Sequence, residues 1–152
     1  RSRKIPMKDL GDIDTIKKLR KIFLGYPQST LGIDKVLYIN SQKGIASARY
    51  NATQNMCHSG GIVQGGFITG WIDAIMALAC MAKCGSDVLV LTLEIKVSFL
   101  SSATIGDNIS TAKVIKNTKS IAFIEGKLEN ADGKLIATGT CTAMLKPNFY
   151  KN

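Results

Sequence analysis

Histidine occurs once in this chain, tryptophan once and proline three times, and no CxxC pair is present. A lone histidine without such a pair argues against a structural zinc site. With so little proline, charged residues at 20% and no low-complexity tract, disorder is not expected beyond the two ends. Acidic residues are also scarce: 11 Asp plus Glu stand against 20 Lys plus Arg, for a net charge of +9. That balance points to an anionic partner. The basic residues are spread out, however, and no RNP, helix-turn-helix or zinc-finger pattern interleaves them with aromatics, so nucleic acid is not the expected partner. A phosphorylated small molecule suits the charge equally well. Arg1, Arg3, Lys4, Lys17, Lys18, Arg20 and Lys21 read most simply as a solvated basic face.

An apolar fraction of 45% in 152 residues is enough for a sizeable core, and one domain spanning residues 1–152, with its core from about 34 to 145, is the natural count. Cys57, Cys80, Cys84 and Cys141 are expected to be reduced thiols, and the four-residue spacing of Cys80 and Cys84 suits packing on an apolar helix rather than chemistry. No signal-peptide pattern is visible, so the expected compartment is the cytoplasm.

Ile13, Ile16, Leu19, Ile22 and Phe23 recur at helical spacing and predict an N-terminal helix over about 12–24, with Asp14 early and basic residues late as the helix dipole prefers. Lys35 to Ile39 and Ile45 to Tyr50 flank Ser41-Gln42-Lys43-Gly44 and predict a hairpin. From about Gly65 to Lys83 the chain is apolar on nearly every side, as a helix buried in protein or lipid must be. Gln64, Asp73 and three glycines interrupt it and strand-like sequence follows, which favours a core helix over a membrane span. Beyond it, Leu91, Leu93, Ile95, Val97 and Phe99 alternate with Thr92, Glu94, Lys96 and Ser98, predicting a long half-buried strand with those two sets on opposite faces. Three more strands, over 108–116, 120–129 and 134–145, would complete an antiparallel meander of the last four strands. The order is that of an α+β domain in which a curved antiparallel sheet wraps one long apolar helix, the outline of a hotdog fold.

Chemistry is concentrated between Cys57 and Asp73. Gly60, Gly61, Gly65 and Gly66 fall within seven residues just before the apolar helix, so the backbone can approach a ligand closely. The free N–H groups of the first helical turn would then point at that ligand, and a polarised carbonyl oxygen is a suitable occupant. Asp73 is a carboxylate among Trp71, Ile72, Ala74, Ile75 and Met76, a setting that carboxylates seldom occupy without purpose. It follows Gly66 by seven residues, close to two turns, so both should lie on one helix face and converge on one substrate. A backbone or subunit hydrogen bond would account for Asp73 as simply, and a solvated loop for His58.

The string HSGGIVQGGFITGWIDA resembles the active-site segment of acyl-CoA thioesterases of the phenylacetate-pathway, or PaaI-like, hotdog type. There a polar amide residue, a glycine and a His-Gly-Gly lead into a helix carrying a catalytic acid nine residues after the His. Gln64-Gly65-Gly66 match the His-Gly-Gly, Gly61 the preceding glycine and Asp73 the acid; His58 stands where relatives have Asn or Gln, and Thr92 where some have Ser. Ser98-Phe99-Leu100-Ser101 and Gly106-Asp107 resemble the family's strand end and following turn. Gln64 for His and His58 for an amide are departures, consistent with an exchanged hydrogen-bonding pair, a different substrate or lost activity.

The resemblance implies hydrolysis of acyl-CoA without a cofactor or metal. The Gly65 N–H would stabilise the oxyanion, Asp73 would act as general base or nucleophile, and Thr92, Gln64 and His58 would orient water or thioester. Gly61, Gly66, Phe67 and Trp71 would line the substrate site, although Phe67 and Trp71 are packing residues first. It further implies a homodimer or homotetramer, with His58, Gln64 and Gly65 from one subunit meeting Asp73 and Thr92 from another. Two rivals remain. A hotdog dehydratase or hydratase would use His58 with Asp73, but the His-Phe-Pro-Gly style loop is absent. A non-catalytic acyl-CoA-binding module would bury the same acyl group without turnover.

Overall fold

Asp12 opens helix α1 (Ile13–Leu24): its carboxylate accepts the Thr15 N–H at 2.9 Å, satisfying one of the unpaired donors of the first turn. In the computed structural model, which describes residues 8–151, α1 buries Ile16, Leu19 and Phe23. Ile13 and Ile22, expected on the same face, are exposed instead. At 100° per residue they sit about a quarter-turn to either side of the buried stripe, beyond the width of a one-sided contact. Lys17, Lys18 and Lys21 are also exposed, whereas Arg20 is half-buried and ion-paired with Asp9 at 2.7 Å. Arg1, Arg3 and Lys4 lie outside the described residues.

The hairpin forms as its sequence predicts. Strands β1 (Ile33–Asn40) and β2 (Ile45–Ala52) pair antiparallel, with Gly44 at φ +63 in the turn and the Asn40 side chain accepting the Lys43 N–H at 3.0 Å. Helix α2 (Gly65–Cys84) follows, then β3 (Leu89–Phe99), β4 (Gly106–Asn117), β5 (Ile121–Asn130) and β6 (Leu135–Lys146).

The six strands form one antiparallel sheet in the order β1-β2-β4-β5-β6-β3, wrapped around α2, with α1 packed against β1 and α2. This is the hotdog arrangement. The expected four-strand meander holds only for β4, β5 and β6, because β3 pairs with β6 at the far edge and β4 pairs with β2. The reason lies in residues 100–105, which do not turn back as a hairpin. The Leu100 and Ser101 N–H groups donate to the Ile136 carbonyl, and the Ala103 carbonyl accepts the Val63 N–H at 2.9 Å, so the segment crosses from one edge of the sheet to its middle past the start of α2. Part of its backbone is thereby paired without a β3–β4 ladder.

α2 is long and apolar enough to cross a membrane by length and composition, yet it is the core helix, burying Ile68, Trp71, Ile72, Ile75, Met76 and Leu78 among others. It lies very close to the sheet over one cross-strand row in which Ala46, Ala112, Gly126 and Gly139 are paired in succession. A Cβ on Gly139 would meet Ile72 Cγ2 at 3.1 Å and the Lys96 carbonyl at 3.2 Å, and one on Gly126 would meet Met76 Cε at 3.1 Å. Helix and sheet lie this close there because side chains are absent, and an added carbon would push the helix side chains aside.

Gly139→Val is therefore expected to lower the unfolding free energy by about 1–3 kcal/mol through overpacking beneath α2, read as a reduced urea midpoint. A midpoint equal to that of the native chain would show that the helix has room to lift.

Candidate active site

The loop that enters α2 is folded by its glycines. Gly60 and Gly61 have φ of +65 and +74, a region that side-chain-bearing residues rarely adopt. The His58 N–H donates to the Ile62 carbonyl at 2.9 Å and Gln64 N–H to Met56 at 2.9 Å, while Ile62 bridges Thr104. Gln64 caps α2 in an extended conformation without a side-chain bond to the helix. Among the described backbone hydrogen bonds, the Gly65 and Gly66 N–H groups donate to no carbonyl; the first donor of α2 with a partner is Phe67, to Gln64 at 3.0 Å. Two N–H groups at a helix N-terminus thus face outward, where the helix dipole favours negative charge.

A cavity of about 410 Å³ opens at this point, lined by His58, Ile62, Val63, Gly65, Ile68, Phe99, Leu100, Ser101, Ser102 and Ala103. Its lining is polar and apolar in about equal parts, with polar side chains from His58, Ser101 and Ser102. Neither Asp73 nor Thr92 lines it.

Asp73 is half-buried on α2 and accepts a hydrogen bond from Thr92 Oγ1 at 2.7 Å. A bulge creates this contact. Thr92 pairs with Ala143 and Glu94 with the adjacent Thr142, so Leu93 is the extra residue. The strict alternation read from the sequence is broken there. Thr92 lies opposite buried Ala143 and faces the helix, as Ile95 does opposite buried Cys141, whereas Glu94, Lys96 and Ser98 face away. Glu94 accepts the Thr142 hydroxyl at 3.0 Å on that outer side. The half-buried strand is also more open than its pattern suggests, because β3 is a sheet edge and Leu93 is 55% exposed.

Within the chain the proposed residues fall into two groups. His58 and Gly65 line the cavity, with Gly61, Gln64, Gly66 and Phe67 in the same loop and first helical turn; Asp73 and Thr92 form a pair further along α2. Eight residues of helix separate Gly65 from Asp73, about 12 Å of rise, so sharing a helix face does not make the two converge on one small group in the same chain. Trp71 belongs to the core: it is fully buried, donates from Nε1 to the Leu31 carbonyl at 2.7 Å and stacks on Tyr50 with ring centroids 5.4 Å apart. Burial also pushes the Tyr50 hydroxyl pKa well up. The cavity wall of Phe99, Leu100, Ser101 and Ser102 carried no site signal of its own in the sequence, although Phe99, Leu100 and Ser101 fall in the stretch that resembles the thioesterase strand end. Among the described residues no group of three His, Cys, Asp or Glu is placed to hold a metal ion.

Residues 60–137 match the thioesterase superfamily. A protein of Saccharolobus solfataricus described as a candidate esterase is 30% identical over 123 residues, covering 80% of this chain and 86% of its own. A phenylacetic acid degradation-related protein of Ralstonia eutropha, described as a candidate thioesterase, is structurally similar with a TM-score of 0.76 and 26% identity, covering 86% of this chain and 98% of its own. The PaaI protein of Escherichia coli, from its phenylacetic acid degradation operon, shares the fold with a TM-score of 0.73 and 19% identity, over 86% of this chain and 90% of its own.

The cysteines stand apart from this site chemistry. Burial, with Cys84 and Cys141 nearby, pushes the Cys80 thiol up to about 12; burial, with the Asp73 and Glu94 carboxylates nearby, pushes Cys141 up to about 11. At pH 8 both stay protonated, and a thiol-titrating aromatic disulfide should leave them unmodified in the folded protein while counting all four thiols after denaturation. Rapid modification of Cys141 in the native state would show that the sheet opens beside Asp73.

Proposed function

The chain belongs to the thioesterase superfamily, and from that premise we propose that it hydrolyses acyl-CoA thioesters to free acid and coenzyme A. The observation that carries this reading is the Asp73 carboxylate, set among apolar neighbours on α2 and held by Thr92 at 2.7 Å. A carboxylate fixed by a hydroxyl donor is ready to work as a base or nucleophile. The Gly65 N–H, with Gly66 beside it, supplies the opposite requirement, a preorganised donor where negative charge develops on the thioester oxygen.

The chemistry balances with these parts alone. As general base, Asp73 takes a proton from water and the oxygen adds to the thioester carbonyl. The oxyanion rests on the Gly65 N–H, the C–S bond breaks, and the departing thiolate receives the proton. As nucleophile, Asp73 adds to the carbonyl and the C–S bond breaks to expel the thiolate, leaving an acyl anhydride; water cleaves that anhydride to the free acid and the Asp73 carboxylate and supplies the proton that the thiolate takes up, so either route needs the same residue in the same place. Gln64 and His58 orient water or thioester from the loop side. The chain's net charge of +9 suits the phosphates of coenzyme A.

The site is shared between subunits in this reading. The separation of the Gly65 cavity from the Asp73–Thr92 pair supports it, as does the position of β3 at a sheet edge with Leu91 and Leu93 exposed. Two protomers paired through β3 would bring the loop of one toward the carboxylate of the other.

Asp73→Asn should cut thiol release from acyl-CoA esters by about 10²-fold or more with the oligomer and circular dichroism unchanged; unaltered turnover would sink the site. Gly65→Pro removes the donor at the first helical position, where proline suits the backbone but its ring crowds Phe99, and the two effects together should cost about 10²–10³-fold. Mixing and refolding the two inactive variants should restore about a quarter of native activity if each site draws on two chains, and none if each chain carries its own. A native chain that binds acyl-CoA and releases no thiol would instead be a binding module.

A further inference from the structure

Phe99 is a large aromatic at the end of β3 that remains 53% exposed although its cross-strand partner Ala137 is fully buried. It therefore faces the helix side of the sheet and looks into the cavity at the start of α2. Its ring rests on the backbone of Gly65: a Cβ built there would lie 3.2 Å from both Cε1 and Cζ of Phe99 and 3.9 Å from Cδ1. The same cavity continues over Ile62, Val63, Ile68, Leu100 and Ala103. Phe99 is thus the side chain that crowds Gly65, and the surface that continues from it combines these apolar side chains with His58, Ser101 and Ser102.

We infer that Phe99 determines specificity, limiting the bulk an acyl group can carry on its first carbons beyond the thioester carbonyl. The inference rests on the acyl-thioester reading above and adds the wall of the site that sorts its substrates. A carbonyl oxygen accepting from the Gly65 N–H at ordinary hydrogen-bond length, about 2.9 Å, leaves the carbonyl carbon and its substituent within van der Waals reach of a ring seated on Gly65. The two substituents of that carbon differ. The pantetheine arm carries amides and suits His58, Ser101 and Ser102, whereas the acyl carbon chain suits Phe99, Leu100 and Ile68. A branched or aryl-substituted first carbon needs volume that the ring occupies, and an unbranched one needs less of it. Discrimination of this kind is a matter of filled volume, and a ring removed from a pocket changes it by one to two orders of magnitude.

The test compares native protein, Phe99→Leu and Phe99→Ala on straight-chain acyl-CoA esters and on esters branched or aryl-substituted at the first carbon. Equilibrium binding of the matching non-hydrolysable CoA thioethers is measured alongside. Phe99→Ala should raise the ratio of bulky to straight-chain kcat/KM by about 10-fold or more, with Phe99→Leu between, and the thioether affinities should shift in the same order. An unchanged ratio, or a loss equal across all acyl groups as expected if the ring met the common pantetheine arm, would overturn the assignment while leaving hydrolysis intact. If native protein releases no thiol, hydrolysis fails as a reading, and the thioether series still decides: a shifted bulk preference upholds the role of Phe99, and an unshifted series or no binding overturns it.

Discussion

The contact on which the rest of this structure depends is the seating of α2 against Gly126 and Gly139. These paired glycines lie under Ile72 and Met76, where a single added carbon would fall within about 3.2 Å of the helix side chains. Their bareness brings the helix axis close to the sheet, and everything that needs a fixed distance between helix and strands follows. Asp73 is the next residue after Ile72, and a hydrogen bond of 2.7 Å to Thr92 cannot tolerate a helix lifted by even part of a side chain. The same seating aligns the start of α2 with residues 99–103, which close the cavity around Gly65.

A second constraint is the extra residue in β3. An unbroken alternation would place Thr92 with Glu94 and Lys96 on the outer face, away from Asp73. The bulge at Leu93 turns Thr92 inward without disturbing the pairing of Ile95, Val97 and Phe99 with β6. One inserted residue thus lets a single strand serve three purposes. It presents a hydroxyl to the helix carboxylate, walls the cavity with Phe99, and offers an unpaired edge with exposed Leu91 and Leu93.

Much of this was legible in the residues. Helix α1, the hairpin around Gly44 and the apolar helix from Gly65 were readable because their signals are local: a helical spacing with charges placed along the dipole, a short polar loop ending in glycine, a run of apolar residues. The glycine-rich entry before α2 and the carboxylate inside it pointed to the region where the structure places a cavity and two outward N–H groups. Strand order was not legible, since β3 and β4 are consecutive in the chain and only the hydrogen bonds of residues 100–105 carry the chain across the sheet. Trp71 read as core or acyl pocket, packing first, and only its burial against Tyr50 and the Leu31 carbonyl, a property of packing, places it in the core.

The sequence by itself determined the number and type of the elements, the apolar character of α2, and the placing of glycines and one acid on either side of its first turns, because each follows from residues within a few positions of one another. Only the tertiary structure decided that β3 lies at an edge, that Thr92 faces inward, that Phe99 rests on Gly65, and that the donors and the carboxylate of one chain stand about two helical turns apart. Those are relations between segments distant in the chain, fixed by register, a bulge and close packing, which no local pattern encodes.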